Sequence, residues 1–445
     1  MEIRLPVAAV LLTTAMTAGG VGLGVASGMA PIEFAMSRHI GWEADRITHG
    51  NTCVVASGHE CLSRNPSSEP GGFQSPSSVA TDMKTGDLYV ADLGNYRIQK
   101  LTATGEFIAM FGWDVNETKG ERAGATQAEK DVCTAVSGDR CKAGTAGTGA
   151  GQFFYPTSVT VDRRTGDVYV LDDGMGVRVD KYTSGGRFLW RIGKDVNERT
   201  KGNICYEREV LKSGVKCKAG VPNGSRSLEP GAFKAAQQDG DLLVAGGPED
   251  LLYVGDEHRV QEFDGHGRWR REILLVSIFA EDESSVAAVA VDGAGDLYLV
   301  YRVSETSPHR ESIEIVRKLN PDGDQVASFP VEPRQPGAIA HIDGLAIDPA
   351  GAIAVIGVEP GALHRRFGFV YDAATGRRVG EFAPPSDNDG LTLSGKGDLY
   401  VAATDDHEVV AYVPAPPVEL VSSPVPCEIE IGNDRAGAFD CALNR

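Results

Sequence analysis

Positive charge is what this chain is short of. Lys and Arg number 43 against 62 Asp and Glu, a formal charge of −19 over 445 residues. The acidic excess is spread along the chain rather than gathered in one tail. Such a surface repels phosphate backbones and anionic lipid, and no basic stripe with interleaved aromatics offsets it, so nucleic acid is excluded as a partner. Catalytic signatures are missing too: there is no G-x-S-x-G nucleophile elbow, H-E-x-x-H helix or P-loop. No cysteine pair has the two to four intervening residues of a zinc hook; the closest partners are separated by seven to thirteen. No cysteine stands near Ala30, which removes a lipoprotein anchor.

What is present reads as an exported, folded protein. Hydrophobic residues make up 42% and charged residues 24%, the balance of a soluble globular chain. Arg4 precedes an uncharged stretch from Leu5 to Val25, and Gly28 and Ala30 occupy the −3 and −1 positions before Pro31. Residues 1–30 are therefore expected to be a signal peptide, and the protein to be secreted with no membrane association unless that signal stays uncleaved. Eight cysteines in close pairs suit that compartment. Four local disulfides are expected: Cys53–Cys61, Cys133–Cys141, Cys205–Cys217 and Cys427–Cys441. In the chain-entropy account, each short loop would contribute about 2.5–3 kcal/mol.

Self-similarity dominates the rest. "FQSPSSVATDMKTGDLYVADLGNYRIQKLTATGEFIAMFG" (Phe73–Gly112) is answered by "FFYPTSVTVDRRTGDVYVLDDGMGVRVDKYTSGGRFLWRIG" (Phe153–Gly193). Each holds four short strand-like runs separated by turn signals, the pattern of an antiparallel meander. Weaker copies follow at Leu251–Ile273, Val286–Phe329, Ile342–Phe382 and Asp389–Val413, and the last stops after three strands. "EFAMSRHIGW" (Glu33–Trp42) is an orphan outer strand at the other end, so it is expected to complete the last unit.

"DLYVADLGNYRIQKL" (Asp87–Leu101) resembles the NHL repeat through Asp92, Asn95, Arg97, Ile98 and Gln99. "LYVGDEHRVQEF" is similar through Asp256, Arg259, Val260 and Gln261. The second unit keeps Asp172, Arg178 and Val179 but has Asp180 in place of the Gln. The resemblance implies an all-β fold, a six-bladed β-propeller of four-stranded antiparallel blades closed by the N-terminal strand on the last blade. It spans residues 31–415; residues 416–445 are read as a Pro-rich spacer and a disulfide-clipped tail. The repeated aspartates are expected to bond loop amides, and Arg97, Arg178 and Arg259 to pair with such carboxylates.

Strand parity puts three long cysteine loops, 43–72, 114–152 and 195–232, on one face. Loops of this length in a compact fold are more often functional than idle, with solvated decoration as the bland alternative. Residues heading the innermost strands ring the mouth of the central channel and are the candidate binding set: Ser75, Tyr155, Ser285, His341 and Asp387, with Asp241 for the third unit. Enzymes of related six-bladed folds, such as peptide-amidating lyases and lactonases, place metal ligands near this channel. Here only His341 and Asp387, with Asp343 and Asp389 two positions on, could hold a Ca²⁺ or Zn²⁺ ion. Aspartates before "GL" more often satisfy turn amides, so no cofactor and no catalytic residue is assigned. "NET" at Asn116 and "NGS" at Asn223 fit glycosylation sequons. The function read from all this is a binding or scaffold module recognising an extracellular protein, peptide or glycan. The alternative is a metal-dependent lyase or hydrolase at the channel mouth.

Overall fold

The structure is a computed structural model that describes residues 32–61, 65–221, 229–233, 242–256, 259–274, 283–304, 313–331, 341–359, 366–385 and 390–415. The signal segment, Asp241, Asp387, Asp389, Asn223, Cys427 and Cys441 lie outside the described residues.

The regular structure is almost all strand. The first meander runs Pro76–Thr81, Leu88–Asp92, Arg97–Leu101, Phe107–Phe111, and the second Pro156–Val161, Val168–Asp172, Arg178–Tyr182, Phe188–Ile192. The third (Leu242–Gly246 to Trp269–Leu274) and fourth (Glu283–Val291 to Gln325–Pro330) are four-stranded antiparallel sheets of the same order. The remaining strands form one large sheet. His341–Ile347 to Arg378–Phe382 make its first part, and Gly390–Leu393, Leu399–Ala403 and Glu408–Pro414 make the other. Ile32–Gly41 lies between the two parts, antiparallel to Glu408–Pro414 and parallel to Arg378–Phe382 through Ile32 and Glu33.

The "DLYV" runs show why these residues fold as sheets stacked face to face. Leu88, Tyr89, Val90 and Ala91 are all fully buried. Alternate side chains serve opposite neighbours: Tyr89 and Ala91 pack with Val168 and Val170 of the second meander, whereas Leu88 and Val90 pack with Tyr400, Val409 and Ile40. The same division recurs between second and third meanders, third and fourth, fourth and the His341–Phe382 part, and the two parts of the large sheet. Stacked four-stranded sheets of this kind are the architecture of a β-propeller.

The N-terminal strand departs from simple alternation. Its register against Glu408–Pro414 shifts between Met36 and Arg38, so even-numbered side chains change faces across the bulge. Phe34 packs beside Phe382 at 6.1 Å, while Ile40, fully buried, joins the first meander's core. Met36, two residues from Phe34 and before the bulge, is 37% exposed.

Candidate functional site

Three loops follow three consecutive outer strands, and the structure builds them to one plan. Each chain leaves its outer strand through a residue in the left-handed region: Glu43, Asp114 and Asp195, at φ 48°, 58° and 57°. A polar side chain two residues on then organises a turn. Asp45 accepts from the N–H groups of Ile47 and Thr48, Asn116 from Lys119, and Asn197 from Arg199 and Thr200. Asp45 also meets His59 Nδ1 at 2.7 Å; that contact, with the turn amides, holds its carboxyl well below the usual range. A short strand carrying the first cysteine pairs back onto the outer strand. The disulfides Cys53–Cys61, Cys133–Cys141 and Cys205–Cys217 are formed as expected, which marks an oxidising environment. Asn116 is only 2% exposed, with its amide bonded to Val132 and Asp139, so that sequon is closed to a glycan.

The NHL residues lie beneath these loops and hold their ends. Asp92, fully buried, accepts from the Gln74 N–H at 2.8 Å, from Asn95 and from Arg97 Nε at 2.8 Å. Arg97 donates onward to the carbonyls of Ser68, Glu69 and Gly72. Gln99 receives the Gly71 N–H and donates to Gly72. Asp172 likewise accepts from Phe154 and Tyr155, and Arg178 reaches Gly147 and Gln152. Arg259 and Gln261 both donate to the Ala232 carbonyl. Asp180 would lack a donor of its own, and sequence reading missed its partner. Fully buried Arg191 clasps it through two 2.6 Å bonds and donates to the carbonyls of Thr148, Gly149 and Lys218. The signal was available: aligning "EFIAMFG" with "RFLWRIG" puts Arg191 at the place of Met110.

The expected mouth residues fare differently. Ser75, at φ 50°, gives its N–H to His407 Nδ1 at 3.0 Å. Tyr155 is 46% exposed, lies 6.0 Å from Phe154, and Phe154 lies 6.4 Å from Tyr96. Exposed Met175 lies in the neighbouring connection, just after Asp172. Ser285 sits within the innermost strand of the fourth meander, opposite Arg302 in register. His341 opens its strand and is exposed, and Asp343 meets Arg366 at 3.4 Å. Among the described residues, no three His, Cys, Asp or Glu side chains converge as a metal site. Between the innermost strands the open space is only about 100 Å³, lined by groups such as Val79, Val159, Val289 and Leu345.

More room exists elsewhere. A cavity of about 610 Å³ lies between the second and third stapled loops, with Trp113, Val132, Phe188, Leu211 and Val215 among its walls. Asp131 opens onto it. This residue stands two before Cys133, where the sibling loops have Asn51 and Asn203. All three side chains accept the N–H of the left-handed residue, at 2.9–3.0 Å. Burial pushes the Asp131 carboxyl up to about 7, against the Asp114 N–H and the Gln127 amide that bond its ionised form.

Residues 73–101 match the family model described as NHL repeat. The chain carries an NHL repeat. Its Asp92, Asn95, Arg97 and Gln99 are thus the clamp beneath the first loop. No curated protein matches the sequence. Among solved structures, this chain is similar to a streptogramin B lyase, with 9% identity, 79% of this chain and 97% of that one covered, and a TM-score of 0.42. It is also similar to the hydrazine synthase of Kuenenia stuttgartiensis (13%, 79% and 97%, TM-score 0.45). A Bacteroides thetaiotaomicron protein of unknown function is a third (12%, 79% and 73%, TM-score 0.43).

Proposed function

We propose that the chain is an exported six-bladed β-propeller that acts as a binding or scaffold module, recognising an extracellular protein, peptide or glycan on its stapled-loop face. Residues 31–415 form the propeller, with a signal before it and a clipped tail after it. Support for six blades, closed by Ile32–Gly41 on Glu408–Pro414, comes from the core clusters. Each unites two neighbouring sheets, and the cluster of Tyr400 and Val409 also contains Val79 and Val90 of the first meander.

One observation carries the binding reading. Three disulfide-bonded loops stand side by side, and buried Asp–Arg clamps fix their ends from below. Ordering loops so firmly lowers the entropy cost of binding, which suits a recognition surface. The described mouth residues Ser75, Tyr155, Ser285 and His341 are assigned to this surface, with Tyr155 and Met175 as its exposed apolar anchors. The test is an array of extracellular peptides and glycans probed with the chain from Pro31 to Ala415. Specific binding, reduced at least tenfold by Y155A with M175S at unchanged melting temperature, is expected. Binding indifferent to those substitutions would contradict the proposed face.

A further inference from the structure

The cavity between the second and third stapled loops is of the size that holds small ligands. Its walls are mostly apolar, and one acceptor enters it with nothing to accept. Asp131 Oδ1 is occupied by the Asp114 N–H and by the Gln127 amide at 2.7 Å. Asp131 Oδ2 has no hydrogen-bond partner among the described residues.

The sibling loops show what belongs there. Asn51 Nδ2 donates to the Pro70 carbonyl at 3.0 Å, and Asn203 Nδ2 to the Pro230 carbonyl at 2.8 Å. The equivalent carbonyl in the second loop is that of Ala150, which also lines the cavity. The glycine after it, Gly151, takes the same left-handed turn as Gly71 and Gly231, with φ 81°, 79° and 73°. A β-carbon on Gly71 would touch Asn51 Nδ2, and one on Gly151 would lie 3.5 Å from Asp131 Oδ2. Oδ2 therefore holds the place of a donor while being an acceptor. The wall therefore offers two acceptors, open to the cavity, with no protein donor between them, and a ligand donor placed there gains bonds to both.

We propose that this cavity binds a primary ammonium group carried on an apolar body, with the ammonium between Asp131 Oδ2 and the Ala150 carbonyl. This rests on the binding-module reading and gives its ligand class. An anion would meet Asp131 at the wall, and a wholly apolar ligand would desolvate Oδ2 without pairing it. Among the described residues, no Lys or Arg of the rim forms an ion pair with Asp131. Arg187 is drawn to Glu207 at 3.6 Å, and Lys216, Lys218 and Glu198 also line the cavity. Beside Asp131 itself stand Asp114 and Lys130, of opposite sign. Because burial holds the Asp131 carboxyl near neutral, and a bound ammonium favours its ionised form, affinity rises between pH 5 and pH 8.

The experiment is calorimetric titration of the chain with 2-phenylethylamine, with its N-acetyl derivative, and with a tripeptide amide beginning in free Phe. The amine is expected to bind at least tenfold more tightly than the acetylated compound. D131N supplies the sibling loops' own donor, so it should fold and lose amine affinity at least tenfold. The ranking of tripeptide against free amine then tells a peptide N-terminus from a small-molecule source, and either order upholds the ammonium chemistry. Equal binding of the acetylated compound, or undiminished binding by D131N, overturns the proposal. A chain that binds array members yet no amine overturns it while leaving the module reading intact; a chain that binds neither overturns both.

Discussion

The first and second meanders do the same work with different residues. In the first, Gln99 and Met110 face each other across the strands; in the second, Asp180 and Arg191 occupy that register. The Gln amide donates to one loop carbonyl and accepts one N–H, needing no counter-charge. An aspartate only accepts, so placing one there demands a cation, and Arg191 supplies it along with donors for three loop carbonyls. What the two blades share is a satisfied set of buried polar groups around a loop end, not a fixed list of residues. The departure from the NHL pattern at Asp180 is half of a paired exchange.

The largest effect comes from opening the seam that the two chain ends share. A chain starting at Glu43 loses the burial of Phe34 and Ile40, at least roughly 5 kcal/mol, and bares the edge of Glu408–Pro414. It is expected to melt well below one starting at Pro31 and to aggregate. Equal melting and equal monodispersity would refute the seam, because a flexible leader costs nothing to remove.

R191M comes next. It strands the buried carboxylate of Asp180, so equilibrium urea unfolding should show a loss of about 3–5 kcal/mol. Q99A in the first meander removes a neutral group and should cost less, about 1–3 kcal/mol. If Q99A proved as costly as R191M, charge would not be what separates the two blades.

The smallest effect sharpens the comparison among the loops. The Asp131 carboxyl is raised in the folded chain to about 7, from an ordinary value of 3.8. Protonated, it can donate as the sibling asparagines do; that stabilisation is present below about pH 4 and fades as pH rises through 7. D131N should therefore match the parent near pH 4 and exceed it at pH 8. The gap should be about 1–2 kcal/mol after allowing for solvent screening. Parallel pH–melting curves for the two proteins would show that Asp131 is ionised throughout.

The strand plan was legible because both faces of each "DLYV" strand are buried and turn residues punctuate the units. Three of the cysteine pairings were legible because each pair closes within one loop. The Asp–Arg contacts were expected in kind, but their target was not, since the loop carbonyls they hold carry no sequence signal of their own. Arg191 was missed because units were compared for what they kept rather than for what changed together. Asp131 was missed for a related reason: "GNTC", "KDVC" and "GNIC" differ by one atom at the position that matters, and the consequence depends on a carbonyl nineteen residues away. The bulge near Ser37 put Ile40 on the other side of the strand from Phe34, which simple alternation does not foresee.

The exchange of residues between the two blades is tested most directly by the double-mutant cycle at positions 180 and 191. D180Q with R191M gives the second meander the first meander's Gln and Met. The double variant should recover most of what R191M loses, with a coupling energy of at least about 2 kcal/mol in urea unfolding. Additive losses, with the double variant less stable than R191M alone, would contradict it.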